Sequence, residues 1–422
     1  MTPQAVLAQP FTLPSGQVIK NRLFKSAMSE ALSDRTGHAN AELARLYGAW
    51  ADGGIGLCIT GNVMIDKRAL GEPGNVIIED EAQLPALKDW AQAATRNGTQ
   101  CWVQLNHPGK QSPKGLNKET VSPSAVPFRA DMKMLFATPR ELTDAEIRGL
   151  IQRFATAAAI VKKAGFTGVQ IHGAHGYLVS QFLSPHHNRR TDEWGGTAEK
   201  RRRFVLEVYR AMREKVGPNF PIGIKLNSAD FQRGGFTEEE SLDTIRALSD
   251  AGIDMIGISG GTYEAPAMTG VKASKEPVKD STRQREAYFL VFAEKARQAV
   301  KTPLVVTGGF RSAQGMADAI TSGAVDFVGL ARALAIEPDV AKRLLAGQAP
   351  REQVRPIKTG IGAIDKTGMM EVTWYTGQLK RIGKGEAPKP RESALWVFLK
   401  VMAKQAGLGR KKKVPTRLRA TS

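Results

Sequence analysis

From Arg22 to Leu330 the chain repeats one unit: a short apolar run, then a longer helical stretch that exits through glycine. The strand candidates are Arg22–Ala27, Gly56–Thr60, Cys101–Leu105, Gly168–His172, Pro221–Leu226, Met255–Ser259, Pro303–Thr307 and Phe327–Leu330. Helical stretches lie between them, at Leu84–Arg96, Asp144–Ala164, Thr197–Lys215, Glu238–Ala251, Tyr288–Val300 and Ala313–Ser322. Thr143 before Asp144 and Glu146, and Thr237 before three glutamates, are helix-start signals. The exits read Lys-Ala-Gly, Asp-Ala-Gly and Thr-Ser-Gly, each followed by a strand apolar on both faces. Such strands need cover on two sides, which an all-parallel sheet wrapped in helices supplies. An open doubly wound sheet would want a glycine-rich turn after its first strand, and none is there. Eight repeats therefore predict an α/β protein with a closed (β/α)8 TIM barrel.

Two stretches break the rhythm: Lys110–Leu142 after the third strand and Gly260–Arg285 after the sixth. Both leave carboxyl ends of strands, the face on which barrels build their sites, so they are expected to shape the substrate pocket. Tyr263, in the second, is read by default as a surface residue. After about Ala349 the cadence stops, giving a barrel at 1–348 and a basic extension at 349–422. A helix is expected near 393–406, SALWVFLKVMAKQA, packed on the barrel or a partner in preference to a membrane surface, because its charges lie mostly beyond its apolar face.

Of 422 residues, 42% are apolar and 24% charged, which excludes disordered, collagenous and coiled-coil classes. No apolar run approaches the ~18 residues of a membrane span, and the first residues lack a secretory pattern. Cys58 and Cys101 are too few for a disulfide framework or a four-thiolate iron–sulfur cluster, so a reducing cytoplasm is expected. The net charge of +19 resembles a nucleic-acid signature until it is located. From Arg351 onward, 17 lysines and arginines face 5 acids, so the excess belongs mainly to the extension. That allows contact with a membrane surface or another anionic partner, without specific nucleic-acid binding.

The densest chemistry is His172-Gly173-Ala174-His175-Gly176-Tyr177, where the fourth strand opens into a loop. Imidazoles there can donate to a carbonyl oxygen, and a phenol can deliver a proton. A metal centre is the first rival, since His186 and His187 lie close in sequence, but no Asp/Glu pattern completes a ligand set. No metal is expected; buried structural histidines are the other alternative. The run Asn188 to Arg201 reads as architectural, with Asp and Arg groups pinning a loop to a helix. A second site follows strands seven and eight, at Thr307-Gly308-Gly309-Phe310-Arg311 and Gly329-Leu330-Ala331-Arg332. In a barrel these loops form the usual phosphate pocket, glycine permitting close approach and arginine neutralising charge. Gln104, closing strand three, offers a donor and an acceptor, as a lactam edge requires, and Lys225 places a cation in the same mouth.

Together with Lys20-Asn21-Arg22-Leu23, the Gln-Leu-Xaa-His-Xaa-Gly element at Gln104 and Gln181-Phe182-Leu183-Ser184-Pro185, these motifs resemble the old yellow enzyme family of FMN-dependent ene-reductases, over about Phe11 to Leu345. The resemblance implies non-covalent FMN at the barrel mouth, with NADH or NADPH as electron donor. Gln104 would meet the pyrimidine edge and Lys225 the N1/O2 side. Gly309, Arg311, Ala331 and Arg332 would hold the phosphate. His172 and His175 would grip a substrate carbonyl, and Tyr177 would supply a proton. Paired histidines place the chain nearer the thermophilic-like branch and the barrel of 2,4-dienoyl-CoA reductase, whose iron–sulfur cysteines and second nucleotide-binding domain it lacks. Ser29 stands where relatives carry cysteine or threonine, Lys225 where many carry arginine, and Gly61 where alanine is usual, its backbone expected at the flavin.

The function so implied is reduction of the C=C bond of α,β-unsaturated carbonyl compounds. The alternatives are a flavin-dependent dehydrogenase oxidising an amine or alcohol, and a flavin-free phosphate-binding barrel enzyme. A small enone-type substrate and a possible homo-oligomer complete the expected partners.

Overall fold

The computed structural model describes residues 1–262, 264, 289–365 and 369–411. Its centre is eight parallel strands: β1 Leu23–Lys25, β2 Leu57–Met64, β3 Gln100–Asn106, β4 Gly168–Gly173, β5 Ile222–Asn227, β6 Met255–Ser259, β7 Leu304–Thr307 and β8 Phe327–Leu330. Each pairs with the next, and β8 pairs with β1, which closes the barrel. The eight expected strands are all present, with ends that move by a few residues: the second and third run past the expected bounds, while the first shrinks to Leu23–Lys25.

The outer helices are α1 Ala41–Asp52, α2 Leu84–Ala94, α3 Asp144–Ala164, α4 Ala198–Val216, α5 Glu238–Asp250, α6 Leu290–Ala299, α7 Ala313–Thr321 and the short α8 Arg332–Ile336. Reciprocal capping boxes start α3 (Thr143 with Glu146) and α5 (Thr237 with Glu240). At the exits, Gly165, Gly252 and Gly323 have φ of 94°, 90° and 76°, a left-handed turn that glycine makes without a side-chain penalty.

The barrel interior is filled by Phe24, Leu57, Ile59, Trp102, Met255, Val305 and Phe327. Leu13 and Ile19, from the hairpin Phe11–Thr12 with Val18–Ile19, join this cluster at the amino ends of the strands. Trp102 fits because its neighbours on β4 and β5 are glycines. A Cβ on Gly168 would lie 2.5 Å from the indole nitrogen, and one on Gly223 2.9 Å from the ring. Gly168→Ala is therefore expected to cost roughly 1–3 kcal/mol in thermal or denaturant unfolding, with Trp102→Phe recovering part of the loss. Equal stability of Gly168→Ala and wild type would refute this packing account.

The polar loop after β4 is pinned as expected of an architectural element. Asn188 Nδ2 donates to the carbonyls of Phe182 and Trp194, and Arg190 to those of Pro123 and Leu142. The Lys110–Leu142 stretch carries one short parallel pair, Val121–Ser122 beside Arg140–Glu141. Most of Gly260–Arg285, including Tyr263, lies outside the described residues, as does the basic end beyond Lys411.

Residues after 348 do more than trail from the barrel. Helix α9, Met369–Gly383, places Trp374 and Leu379 in the same buried cluster as the barrel's helices, and Arg45 of α1 donates to the Gly383 carbonyl at 2.7 Å. The division at 348/349 thus marks the end of the β/α alternation and not the edge of a separate core. Helix α10, Ala394–Lys411, spans and extends the helix expected at 393–406. Val397 and Phe398 pack inward, while Trp396, Leu399 and Met402 are exposed. Among the described residues no helix is long and apolar enough to cross a membrane.

Candidate functional site

At the carboxyl end of β4 the alternation of a parallel strand puts Gln170 and His172 on one side. The chain then turns tightly: His175 has φ +61° and Gly176 +77°. A left-handed histidine is uncommon and needs outside support. Its backbone N–H donates to Asn227 Oδ1 at 3.1 Å, and its Nε2 lies 2.7 Å from Ser259 Oγ, so the ends of β5 and β6 hold it. Tyr177 follows as the cap of the short helix Leu178–Leu183, and its hydroxyl accepts from Asn62 Nδ2 at 3.4 Å. The His172 ring centroid is 5.3 Å from that of His175 and 4.7 Å from that of Tyr177.

Burial pushes the His172 imidazole well below its ordinary range, with His175 and Lys225 adding to the effect. Burial and Lys225 likewise lower His175 to about 3. Both rings are thus neutral near pH 7, each with one N–H to donate. His172 Nδ1 is buried without a partner among the described residues, the state of a group whose partner is a ligand.

Beside this triad lies a cavity of about 280 Å³ lined by Ser29, Gln170, His175, Lys225, Ala331 and Arg332, with Tyr375 and Thr376 of α9 on another side. It shares Thr307, Gly308, Ala331, Arg332 and Glu371 with a second cavity of about 420 Å³. The second holds Gly309 and Arg311 together with Arg355 and Lys358 from the extension. Gly308 and Gly309 have φ of 104° and 92°, a backbone cradle that side chains would disfavour. Ser312 caps α7 at the same edge, accepting from Gly315 N–H at 3.0 Å. Arg332 Nη1 lies 2.5 Å from Glu371 Oε1, so a carboxylate of α9 competes with any anion for this guanidinium. One lobe is cationic and glycine-lined; the other carries amide, hydroxyl and ammonium groups. The pair fits FMN, phosphate in the first lobe and ring system in the second.

The expected site residues are thus mostly brought together, with two differences. Gln104 reaches the cavity through a neighbour, its Nε2 donating to Gln170 Oε1 at 2.7 Å. Gly61 donates its N–H to Glu30 Oε1 at 2.8 Å and Tyr47 Oη at 3.0 Å, so that backbone group is engaged on a carboxylate. Met28 O and Glu30 also leave no room there for alanine's Cβ. Sequence reasoning misses Gln170, Glu371, Tyr375 and Thr376. Strand alternation from His172 points to Gln170; the three α9 residues carry no such signal.

His186 and His187 do find a carboxylate, Glu264, with ligand atoms of all three within 4.8 Å. Lys110 Nζ lies 3.6 Å from the same carboxylate, so that negative charge already has a cation. Burial, with Lys110 adding to it, holds the His187 imidazole well below its ordinary range.

Residues 6–350 match the profile of the NADH:flavin oxidoreductase / NADH oxidase family. The chain is 36% identical over 407 residues to the NADH-dependent flavin oxidoreductase iccE of Talaromyces variabilis, covering 90% of this chain and 98% of that one. Among solved structures it resembles the old yellow enzyme homologue of Zymomonas mobilis (25% identity, TM-score 0.70, covering 82% of this chain and 94% of that one). Morphinone reductase is similar (25%, TM-score 0.69, covering 82% and 91%). With the barrel, the two-lobed cavity and the neutral histidine pair, this places the chain in the old yellow enzyme family, oxidoreductases that use FMN with a reduced nicotinamide as electron donor.

Proposed function

We propose that this protein reduces the C=C bond of α,β-unsaturated carbonyl compounds at the β4 mouth. The observation that carries the reading is the buried neutral histidine pair, one nitrogen unpartnered among the described residues, beside the Tyr177 phenol and the cavity. FMN, when bound, supplies the redox chemistry, taking hydride from the nicotinamide and passing it to the alkene. Gly309, Arg311, Ala331 and Arg332 hold the phosphate, and Gln104, through Gln170, and Lys225 face the ring system. His172 and His175 donate to the substrate carbonyl oxygen, where negative charge grows as the β-carbon accepts hydride. Each neutral ring keeps one N–H for this task. Tyr177 delivers the proton to the α-carbon.

Anaerobic spectroscopy of the purified protein tests the whole reading. A flavin band should bleach with NADH or NADPH and return when cyclohexenone is added. A band that bleaches and does not return with the enone would remove the alkene reaction and leave an oxidoreductase with another acceptor. Absence of a flavin band, even after soaking in FMN, would remove the site assignment as well.

A further inference from the structure

Ser29 is part of the cavity wall, and its hydroxyl is hydrogen-bonded to Glu72 Oε1. Glu72 comes from the connection between β2 and α2, far from Ser29 in sequence. Asn75 clamps it twice: Asn75 Oδ1 accepts the Glu72 backbone N–H at 2.8 Å, and Asn75 Nδ2 donates at 3.3 Å to Oε1, the same carboxyl oxygen that meets the Ser29 hydroxyl. On the other flank, Thr376 of α9 donates to the Ser29 carbonyl at 3.1 Å, which fixes the serine backbone. The charged groups bearing on Glu72 are Glu30, from the connection between β1 and α1, and Lys380 of α9. Burial pushes the Glu72 carboxyl up to about 7, helped by Glu30 and opposed by the Asn75 bond and Lys380.

A carboxyl group behind a serine has a definite chemical consequence. As a carboxylate it only accepts, so the serine proton points at Glu72 and the cavity meets a lone pair. As a carboxylic acid it can donate to Ser29 Oγ, and the serine proton is free to turn toward the cavity. No covalent bond changes; one proton from solvent resides on Glu72 or does not.

We propose that Glu72 is a positioning residue that acts through the Ser29 hydroxyl, deciding whether the cavity wall there offers a bound flavin a hydrogen-bond donor or an acceptor. This rests on the FMN reading above. A donor toward the flavin favours the electron-rich reduced form, and an acceptor disfavours it. The midpoint potential of the bound flavin should therefore fall more steeply with pH through neutrality than the flavin's own protons require.

The test compares wild type, Glu72→Gln, Ser29→Ala and the double variant from pH 5.5 to 8.5, reading the midpoint potential of bound FMN. The amide introduced by Glu72→Gln can donate to Ser29 at every pH. Reduction in Glu72→Gln should be favoured roughly threefold to tenfold over wild type at pH 8, and by less than about twofold at pH 5.5. In the Ser29→Ala background the Glu72 substitution should have no effect. Parallel potentials for wild type and Glu72→Gln, or a full Glu72 effect without Ser29, would overturn the proposal.

Melting of the FMN-free protein is the independent readout. A carboxyl held up on folding keeps its proton in the native state while the unfolded chain loses it, so stability falls between about pH 4.5 and 7. Wild type should lose melting temperature relative to Glu72→Gln from pH 5 to pH 8. Parallel melts would overturn the proposal whether or not FMN binds, whereas failure to bind FMN with divergent melts would count against the functional reading alone.

Discussion

Replacing Tyr177 by phenylalanine is expected to slow reoxidation of the reduced enzyme by an enone about 10²- to 10³-fold, while reduction by nicotinamide stays within about twofold. The substitution keeps the ring, whose centroid lies 4.7 Å from that of His172, and removes only the hydroxyl. Packing should survive, since Tyr177 is buried and capped onto Leu178–Leu183 by its backbone. Nicotinamide delivers hydride and needs no proton from this residue, so the two half-reactions separate. Stopped-flow mixing of anaerobically reduced enzyme with cyclohexenone measures one, and mixing of oxidised enzyme with NADH the other. Equal slowing of both would show that the hydroxyl serves the shape of the site and not proton delivery.

Replacing Lys225 by methionine is expected to stabilise the FMN-free protein and to weaken FMN binding. Burial lowers the Lys225 ammonium to about 8, with the buried cation Lys25 adding to the effect. An ammonium that binds its proton more weakly when folded penalises the native state fully below about pH 8, and the penalty fades as pH rises toward 10.5. At pH 7 it amounts to roughly 3 kcal/mol, so Lys225→Met should melt several degrees higher there and converge with wild type in strong alkali. The same ammonium is one of the cations facing the cavity, and its loss should raise the FMN dissociation constant by about 10- to 100-fold. A variant both less stable at pH 7 and unchanged in FMN affinity would mean that Lys225 is a structural residue. The opposite signs are what a site that stores unfavourable charge for later use should show.

How much of this is written in the sequence depends on the distance between interacting parts. The barrel strands are readable because each is apolar on both faces, and the glycine exits announce where each helix must turn back. The histidine pair and Tyr177 lie on one short stretch, so their proximity is legible without a fold. Gln170 sits two residues before His172, and the same alternation finds it. Glu72 and Ser29 are different: the family pattern names Ser29 but no motif names Glu72, and it is the pairing of β1 with β2 that puts the β2–α2 connection beside the end of β1. The same holds for α9. Met370, Trp374, Leu379 and Ile382 give it a readable apolar face, yet nothing local says that the face rests on the barrel or that Glu371 and Tyr375 reach the cavity. Gly61 shows the converse. Its place in the family pattern suggests a backbone at the flavin, and a carboxylate from Glu30 holds that N–H instead.

The wall contributed by α9 bears on how the enzyme is made. Glu371, Val372, Tyr375, Thr376 and Leu379 complete a cavity whose adjoining wall, Phe24 with Ser26 to Ser29, is among the first parts of the chain synthesised. Domains emerging from the ribosome generally fold as units, amino end first. Here the pocket has no finished shape until residue 379 has been joined to it, so cofactor capture is expected late in this protein's biogenesis. A nascent barrel that ended at its eighth strand would carry His172 and His175 and still lack the α9 wall of the cavity.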